Sequence, residues 1–250
     1  MKNTSFIYGI RPVLEALDAG KTLDKVWIQE GQVAGQLKEI LTKLHDRKII
    51  WKQVPQEKLH SLTKGANHQG IVVALSAIDF AQVEDVVAEA FEKGMDPLIL
   101  VLDGVTDVRN FGAIARTAAC AGVHAIVVPE TGSAAINSDA VKTSAGALLK
   151  IPVCRTKSLY HTIKNLKNSG LKIAGASEKG ATSIYECDFD GPLAMVMGNE
   201  ETGISPDTWK LCDLHFNIPM SPYGVGSLNV SVATGIALFE ANRRKLGQNS

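Results

Sequence analysis

The chain has 250 residues, 26 Lys+Arg against 26 Asp+Glu, 45% hydrophobic and 21% charged residues. These proportions describe a folded α/β protein of one large or two modest domains and exclude a disordered chain. No segment approaches the roughly 18 consecutive apolar residues of a membrane span. The opening "MKNTSFIYGIRPVLEALDAG" has no apolar core region and no small-residue cleavage site, so a cytoplasmic protein is expected. Cys120, Cys154, Cys187 and Cys212 are scattered singly without a C-x-x-C pair, which points to reduced thiols with no disulfide framework and no metal site. The zero net charge hides a small asymmetry. Residues 1–80 carry 11 Lys+Arg against 8 Asp+Glu and the remainder 15 against 18, which permits an RNA-binding N-terminal part without requiring one.

In chain order, helical patterns around 11–19, 34–47 and 55–63 alternate with strand-like runs "KVWIQE" (25–30), "KIIWKQV" (48–54) and "GIVVALS" (70–76). This predicts a small α/β domain over 1–78. An acidic amphipathic helix follows in "AIDFAQVEDVVAEAFEKGMDP" and stops at Gly94 and Pro97, so 79–95 is expected to be a linker helix. From 96 to 250 the runs "LILVLDGV" (98–105), "AIVVPE" (125–130), "KIAGAS" (172–177) and "LAMVMGNE" (193–200) are continuously apolar, as strands of a parallel sheet covered on both faces are. Ligands of such sheets bind beyond the carboxyl ends of the strands. Polar residues just after a strand therefore carry the functional information.

Three stretches fit that description. In "NFGAIARTAACAG" (110–122), Asn110 is placed as an N-cap, Gly112 permits close backbone approach, and Arg116 stands out on a helix of small residues. An N-cap with one surface arginine is the plainer account. In "VMGNEETGIS" (196–205) an apolar strand ends in two carboxylates between two glycines; either this is a polar loop before a helix at Pro206, or Gly198 lets a ligand lie on the backbone. In "FNIPMSPYGVGSLNVSVATGIALFEANRR" (216–244), Pro219, Pro222, Gly224 and Gly226 constrain a loop and Ser227 takes the N-cap position, which leaves Asn229 and Ser231 to face a ligand or another chain.

Together "NFGAIARTA", "GNEETGIS" and "IPMSPYGVGSLNVSVATGIALFE" resemble the three successive motifs of the SpoU (TrmH) family of RNA ribose 2′-O-methyltransferases, over residues 98–244. "YGIRPVLEAL" (8–17) and "ANHQGIVVALS" (66–76) are similar to the ribosomal-protein-like substrate-binding domain of the family's large-subunit rRNA guanosine methyltransferases. The resemblance implies a SPOUT-type α/β domain with a deep trefoil knot, behind the small N-terminal α/β domain. It implies S-adenosylmethionine as cofactor on Gly198, Asn199, Ile218, Met220 and Leu228. It implies Arg116 as the residue that activates the ribose hydroxyl, with Asn110, Glu200, Ser227 and Asn229 completing the catalytic site. A guanidinium keeps its charge in proteins, so binding of the adjacent phosphate and stabilisation of the developing alkoxide is as economical an account of Arg116 as a general base. RNA, rRNA first, is the implied partner, and a homodimer with the site completed across its interface the implied assembly. Helices 112–121 and 231–241 serve equally as contact faces or monomer core.

Rival assignments find less support. No G-x-G-x-x-G or G-x-x-x-x-G-K-[ST] occurs for a nucleotide-binding enzyme, "SLTK" (61–64) lacks the companion motifs of serine acyl enzymes, and the six histidines show no ligand spacing. A non-catalytic RNA-binding relative would show eroded motifs, whereas Asn110, Arg116, Glu200, Ser227 and Asn229 are all present. A tRNA 2′-O-methyltransferase is the nearest alternative; the separate N-terminal domain favours rRNA.

Overall fold

The computed structural model describes residues 6–31, 35, 37–47, 49–223 and 226–243. Two compact units result: Met1–Asp79 with Ile136–Asp139, and Phe80–Ala135 with Ala140–Ser250.

The first unit contains β1 (Phe6–Tyr8), α1 (Ile10–Asp18), β2 (Leu23–Gln29), α2 (Leu37–Asp46), β3 (Lys52–Val54), α3 (Gln56–Thr63) and β4 (Ile71–Leu75). Its sheet order is β1-β4-β2-β3, with β2 and β3 parallel and the other pairs antiparallel. Strand alternation divides the core. Ile28, Ile71 and Val73 meet Val13, Leu17, Ile40 and Leu44 of α1 and α2 on one face, while Val54 and Val72 meet Leu59 of α3 on the other. Among the described residues of the strand expected over 48–54, Lys52–Val54 form β3, and β1 is too short to have shown a pattern.

Helix α1 has no cap of its own, and the Ile10 amide donates instead to Gln69 Oε1 at 2.9 Å, with Gln69 held at φ 48°. His68 is buried, and its Nδ1 accepts from the Gly70 amide at 3.1 Å, which makes Nε2 the protonated nitrogen of the neutral ring.

The second unit contains α4 (Val83–Glu92), β5 (Leu98–Asp103), α5 (Val108–Cys120), β6 (Ala125–Pro129), α6 (Ser138–Thr143), β7 (Val153–Thr156), α7 (Leu159–Asn168), β8 (Lys172–Ala176), β9 (Thr182–Ser183), β10 (Leu193–Gly198), α8 (Pro206–Trp209), β11 (Leu214–Asn217) and α9 (Val230–Ala241). The sheet runs β7-β6-β5-β10-β8-β11-β9, with every pair parallel. The helix expected as a linker belongs to this unit: Val83 and Val87 of α4 join Ile99, Val101, Val127 and Ile163 in its core. An amphipathic stripe ending in Gly and Pro has the same pattern whether its partner is a sheet or nothing. On the opposite face α5 packs along α9, and α9 reaches β10. Gly235 of α9 lies against Thr117 of α5, and Gly112 lets α5 approach α6, because a Cβ there would lie 2.6 Å from Thr143 Cβ.

Candidate active site

The carboxyl ends of β8, β10 and β11 open into a cavity of about 540 Å³. Its apolar lining includes Met197, Ile204, Phe216 and Ile218, and its polar lining includes Glu178, Lys179, Glu200 and Ser227. A smaller cavity of about 160 Å³ lies past the end of β5, lined by Gly104–Asp107, Asn110, Asn199–Glu201 and Val230. Asn199, Glu200 and Glu201 face both.

The wall between them is built from one strand end. Asn199 and Gly203 exchange backbone hydrogen bonds at 3.1 and 2.9 Å, folding "NEETG" into a tight turn. Asn199 Nδ2 donates to the Gly104 carbonyl at 2.9 Å and its Oδ1 accepts from the Glu201 amide at 2.7 Å, so the turn is tied to the end of β5. Asp103 adds a second tie by accepting from the Ser205 amide at 2.9 Å. Gly198 is required by this fold of the chain on itself: a Cβ would lie 2.1 Å from the Gly203 carbonyl carbon. The close approach expected of a ligand is made here by the protein backbone.

Glu200 Oε1 then collects three donors: Asn110 Nδ2 at 3.1 Å, Asn229 Nδ2 at 2.7 Å and the Val230 amide at 3.0 Å. Asn229 Nδ2 also donates to Asn110 Oδ1 at 3.0 Å, which closes a triangle of side chains from three distant segments. No described residue donates to Oε2.

Both expected helix caps are displaced. α5 starts at Val108 and is capped by Asp107, whose Oδ1 accepts from the amides of Arg109 and Asn110 at 2.9 and 2.8 Å. Asn110 is thereby free to serve Glu200. α9 is capped by Asn229 in place of Ser227; its Oδ1 accepts from the Ser231 amide at 3.0 Å and the Ser231 hydroxyl at 2.5 Å. Ser231 therefore supports the cap and lines neither cavity, while Ser227 is exposed and lines the larger one. Of the loop residues singled out in the sequence, Gly224 lies outside the described residues.

Gly198, Asn199, Ile218, Met220 and Leu228 all line the larger cavity. Arg116 lines neither cavity and is exposed. Six residues along a helix turn it about 120° away from Asn110. Glu178 and Lys179, on the loop after β8, were not singled out in the sequence, although polar residues directly after an apolar strand are the signal that would have found them. Burial pushes the thiols of Cys154 and Cys212 up to about 12, so neither is a ready nucleophile. Among the described residues no cluster of His, Cys, Asp or Glu could hold a metal ion.

Residues 97–239 match the SpoU rRNA Methylase family, and residues 6–81 match the RNA 2′-O ribose methyltransferase substrate-binding domain. The chain belongs to the SpoU methylase family. A TrmH family tRNA/rRNA methyltransferase of Staphylococcus haemolyticus is 35% identical over 246 residues, covering 98% of each chain. The 23S rRNA (guanosine-2′-O-)-methyltransferase RlmB of Neisseria meningitidis serogroup B is 36% identical over 252 residues, covering 100% of this chain and 99% of its own. Among solved structures, the SpoU methyltransferase AviRb of Streptomyces viridochromogenes, crystallised with AdoMet, superposes with a TM-score of 0.61 at 24% identity, covering 97% of this chain and 90% of its own. No described helix of this SpoU-family chain is long and apolar enough to cross a membrane.

Proposed function

We propose that this chain transfers a methyl group from S-adenosylmethionine to the ribose 2′-hydroxyl of a guanosine in large-subunit rRNA, in the cytoplasm. The observation that carries this is the Glu200 triangle at the edge of the larger cavity, in a chain alignable end to end with a 23S rRNA guanosine methyltransferase. A pocket of this size, with an apolar floor and a few polar groups, suits a ligand made of an aromatic base, a ribose and an amino-acid chain. Gly198, Asn199, Ile218, Met220 and Leu228 would hold it, Asn199 chiefly by fixing the turn. When bound, the cofactor would supply an electrophilic methyl on sulfur for the ribose oxygen and would leave as the neutral thioether, with the hydroxyl's proton passing to water.

The chain's own residues align the attack and stabilise charge. Glu200 fixes Asn110 and Asn229 through Oε1 and keeps Oε2 open beside both cavities, where it can accept from a ribose hydroxyl. Ser227 adds a hydroxyl on the same rim. Arg116 binds the neighbouring phosphate and stabilises the forming alkoxide. Because Arg116 is turned away from Asn110, we infer a homodimer in which one copy's Arg116 serves the other's site. Val232 and Phe239, 49% and 46% exposed on one side of α9 next to α5, support that interface. The deep trefoil knot is proposed on the same family resemblance, and the return of the chain from β11 to place Val230 on Glu200 is in keeping with it.

The test is single-turnover methyl transfer at saturating RNA and cofactor. Arg116→Lys keeps the charge but loses the planar fork and should slow transfer about 10² to 10³-fold, roughly 2 to 4 kcal/mol, with cofactor affinity unchanged. Near-wild-type rates for Arg116→Ala would remove Arg116 from the site. Mapping ribose methylation on rRNA and tRNA from cells with and without the protein decides between rRNA and the tRNA alternative.

A further inference from the structure

The first unit carries, on the sheet face that bears α3, an aromatic and cationic strip that its core does not use up. Phe6 and Trp27 share this face with Val54 and Val72, so alternation along the strands puts Tyr8, Lys25 and Lys52 there too. The registers align them across the sheet. Tyr8 pairs with Val72, Val72 with Trp27, and Trp27 with Lys52; in the adjacent row Phe6 pairs with Ala74 and Ala74 with Lys25. Leu59 of α3 is wholly buried against Val72, but the helix leaves Phe6 and Trp27 only half-buried, with their rings edge to face at 6.0 Å. Tyr8 is 37% exposed and Lys52 is exposed. Neither Lys25 nor Lys52 forms an ion pair with a described residue.

A core needs no open aromatic edges and no unpaired cations in adjacent cross-strand rows of one sheet face. Single-stranded nucleic acid needs both, since bases stack on aromatic side chains while phosphates meet lysines. We propose that this strip binds an unpaired segment of RNA, with bases against Tyr8, Phe6 and Trp27 and phosphates at Lys25 and Lys52. The proposal rests on the first unit being the RNA-binding part of the enzyme. Its open ring edges favour a single strand over a duplex, whose base faces are already stacked on one another.

The test measures fluorescence anisotropy of the full-length protein with labelled oligouridylate, about 12 nucleotides long, and with a paired RNA duplex of the same length. Lys25→Glu/Lys52→Glu should weaken single-strand binding at least tenfold and lower the salt slope by about 1.4, two phosphate contacts at about 0.7 each. Tyr8→Ala should weaken it about fivefold or more with the salt slope unchanged, and Tyr8→Phe should restore it. Lys21→Glu/Lys38→Glu, exposed on other surfaces of the unit, is the control and should bind within about twofold of wild type. Loss of affinity in the control pair with retention in Lys25→Glu/Lys52→Glu would overturn the strip while leaving the first unit as the RNA-binding part. Wild-type affinity in both pairs would overturn both. Equal affinity for duplex and single strand would overturn the stacking mode.

Discussion

Two helices of this chain have their first turn held by a side chain from a distant segment, and the two side chains differ in charge. At the start of α1 the Ile10 amide donates to the neutral carbonyl oxygen of Gln69. At the start of α9 the Val230 amide donates to the carboxylate of Glu200, which also holds Asn110 and Asn229. Either acceptor satisfies an orphan amide of a helix end, and a carboxylate gains in addition from the helix dipole. What separates them is what remains. Gln69 is exposed and lines neither cavity, whereas Glu200 sits at the rim of both with no described donor on its Oε2. Hydrogen-bonding capacity left over at a cavity marks the second support as part of a site and the first as part of a fold.

The largest expected effect tests whether the Glu200 support depends on the turn beneath it. Gly198→Val should abolish S-adenosylmethionine binding in isothermal titration, because the side chain would displace the Gly203–Ile204 backbone and with it Glu200 and the cavity wall. Circular dichroism and thermal melting should still report a folded protein, with a lowered Tm. Retained cofactor affinity would detach Gly198 from the cavity.

Next, Glu200→Gln removes charge while keeping a carbonyl for the three donors. Turnover is expected to fall about 10²-fold, with Tm within a few degrees of wild type, since an exposed hydrogen-bonded group contributes about 1 kcal/mol. Glu200→Ala should lose more of both. If Glu200→Gln were fully active, Glu200 would be a helix support of the same kind as Gln69.

The parts of this architecture differ in how far they can be read from residues. β5, β6, β8 and β10 were legible because strands buried on both faces must be continuously apolar. β7 and β11 were not; "VCRT" and "LHFN" lie nearer the sheet edges and mix polar with apolar residues. The motif positions were legible as places where polar residues gather after a strand. Their partners were not, because a list of cap-competent residues does not say which will be claimed by a carboxylate 29 or 90 residues away. Asn110 and Ser227 are as cap-competent as Asp107 and Asn229, and it is the latter two that cap α5 and α9. Gly198 shows the same limit: its need for close approach was legible, and the identity of what approaches was not.

A smaller effect is expected at the other support. Gln69→Ala removes the acceptor for Ile10 and leaves an alanine at φ 48°, so the first unit should lose about 1 kcal/mol in urea unfolding. Single-turnover rates should match wild type at saturating RNA. A fall in that rate comparable to the one expected for Glu200→Gln would erase the distinction between the two supports.

The smallest effect concerns His68, the residue before Gln69. Burial, with His60 beside it, holds the His68 ring below the usual histidine range. The native state therefore takes up its proton at lower pH than the unfolded chain, and between the two values the unfolded chain binds more protons. The contribution of neutral His68 is complete above about pH 6.5, the unfolded value, and is lost progressively as pH falls below it. In the native ring Nδ1 already accepts from the Gly70 amide, so protonation breaks that bond and loosens the turn that presents Gln69 to α1. Urea midpoints of the full-length protein should accordingly drop between pH 7.5 and 5.5, and the drop should be smaller in His68→Asn, which can still accept from Gly70 but does not titrate there. An identical drop in both proteins would assign the pH dependence to other groups and leave the Gln69 support insensitive to pH.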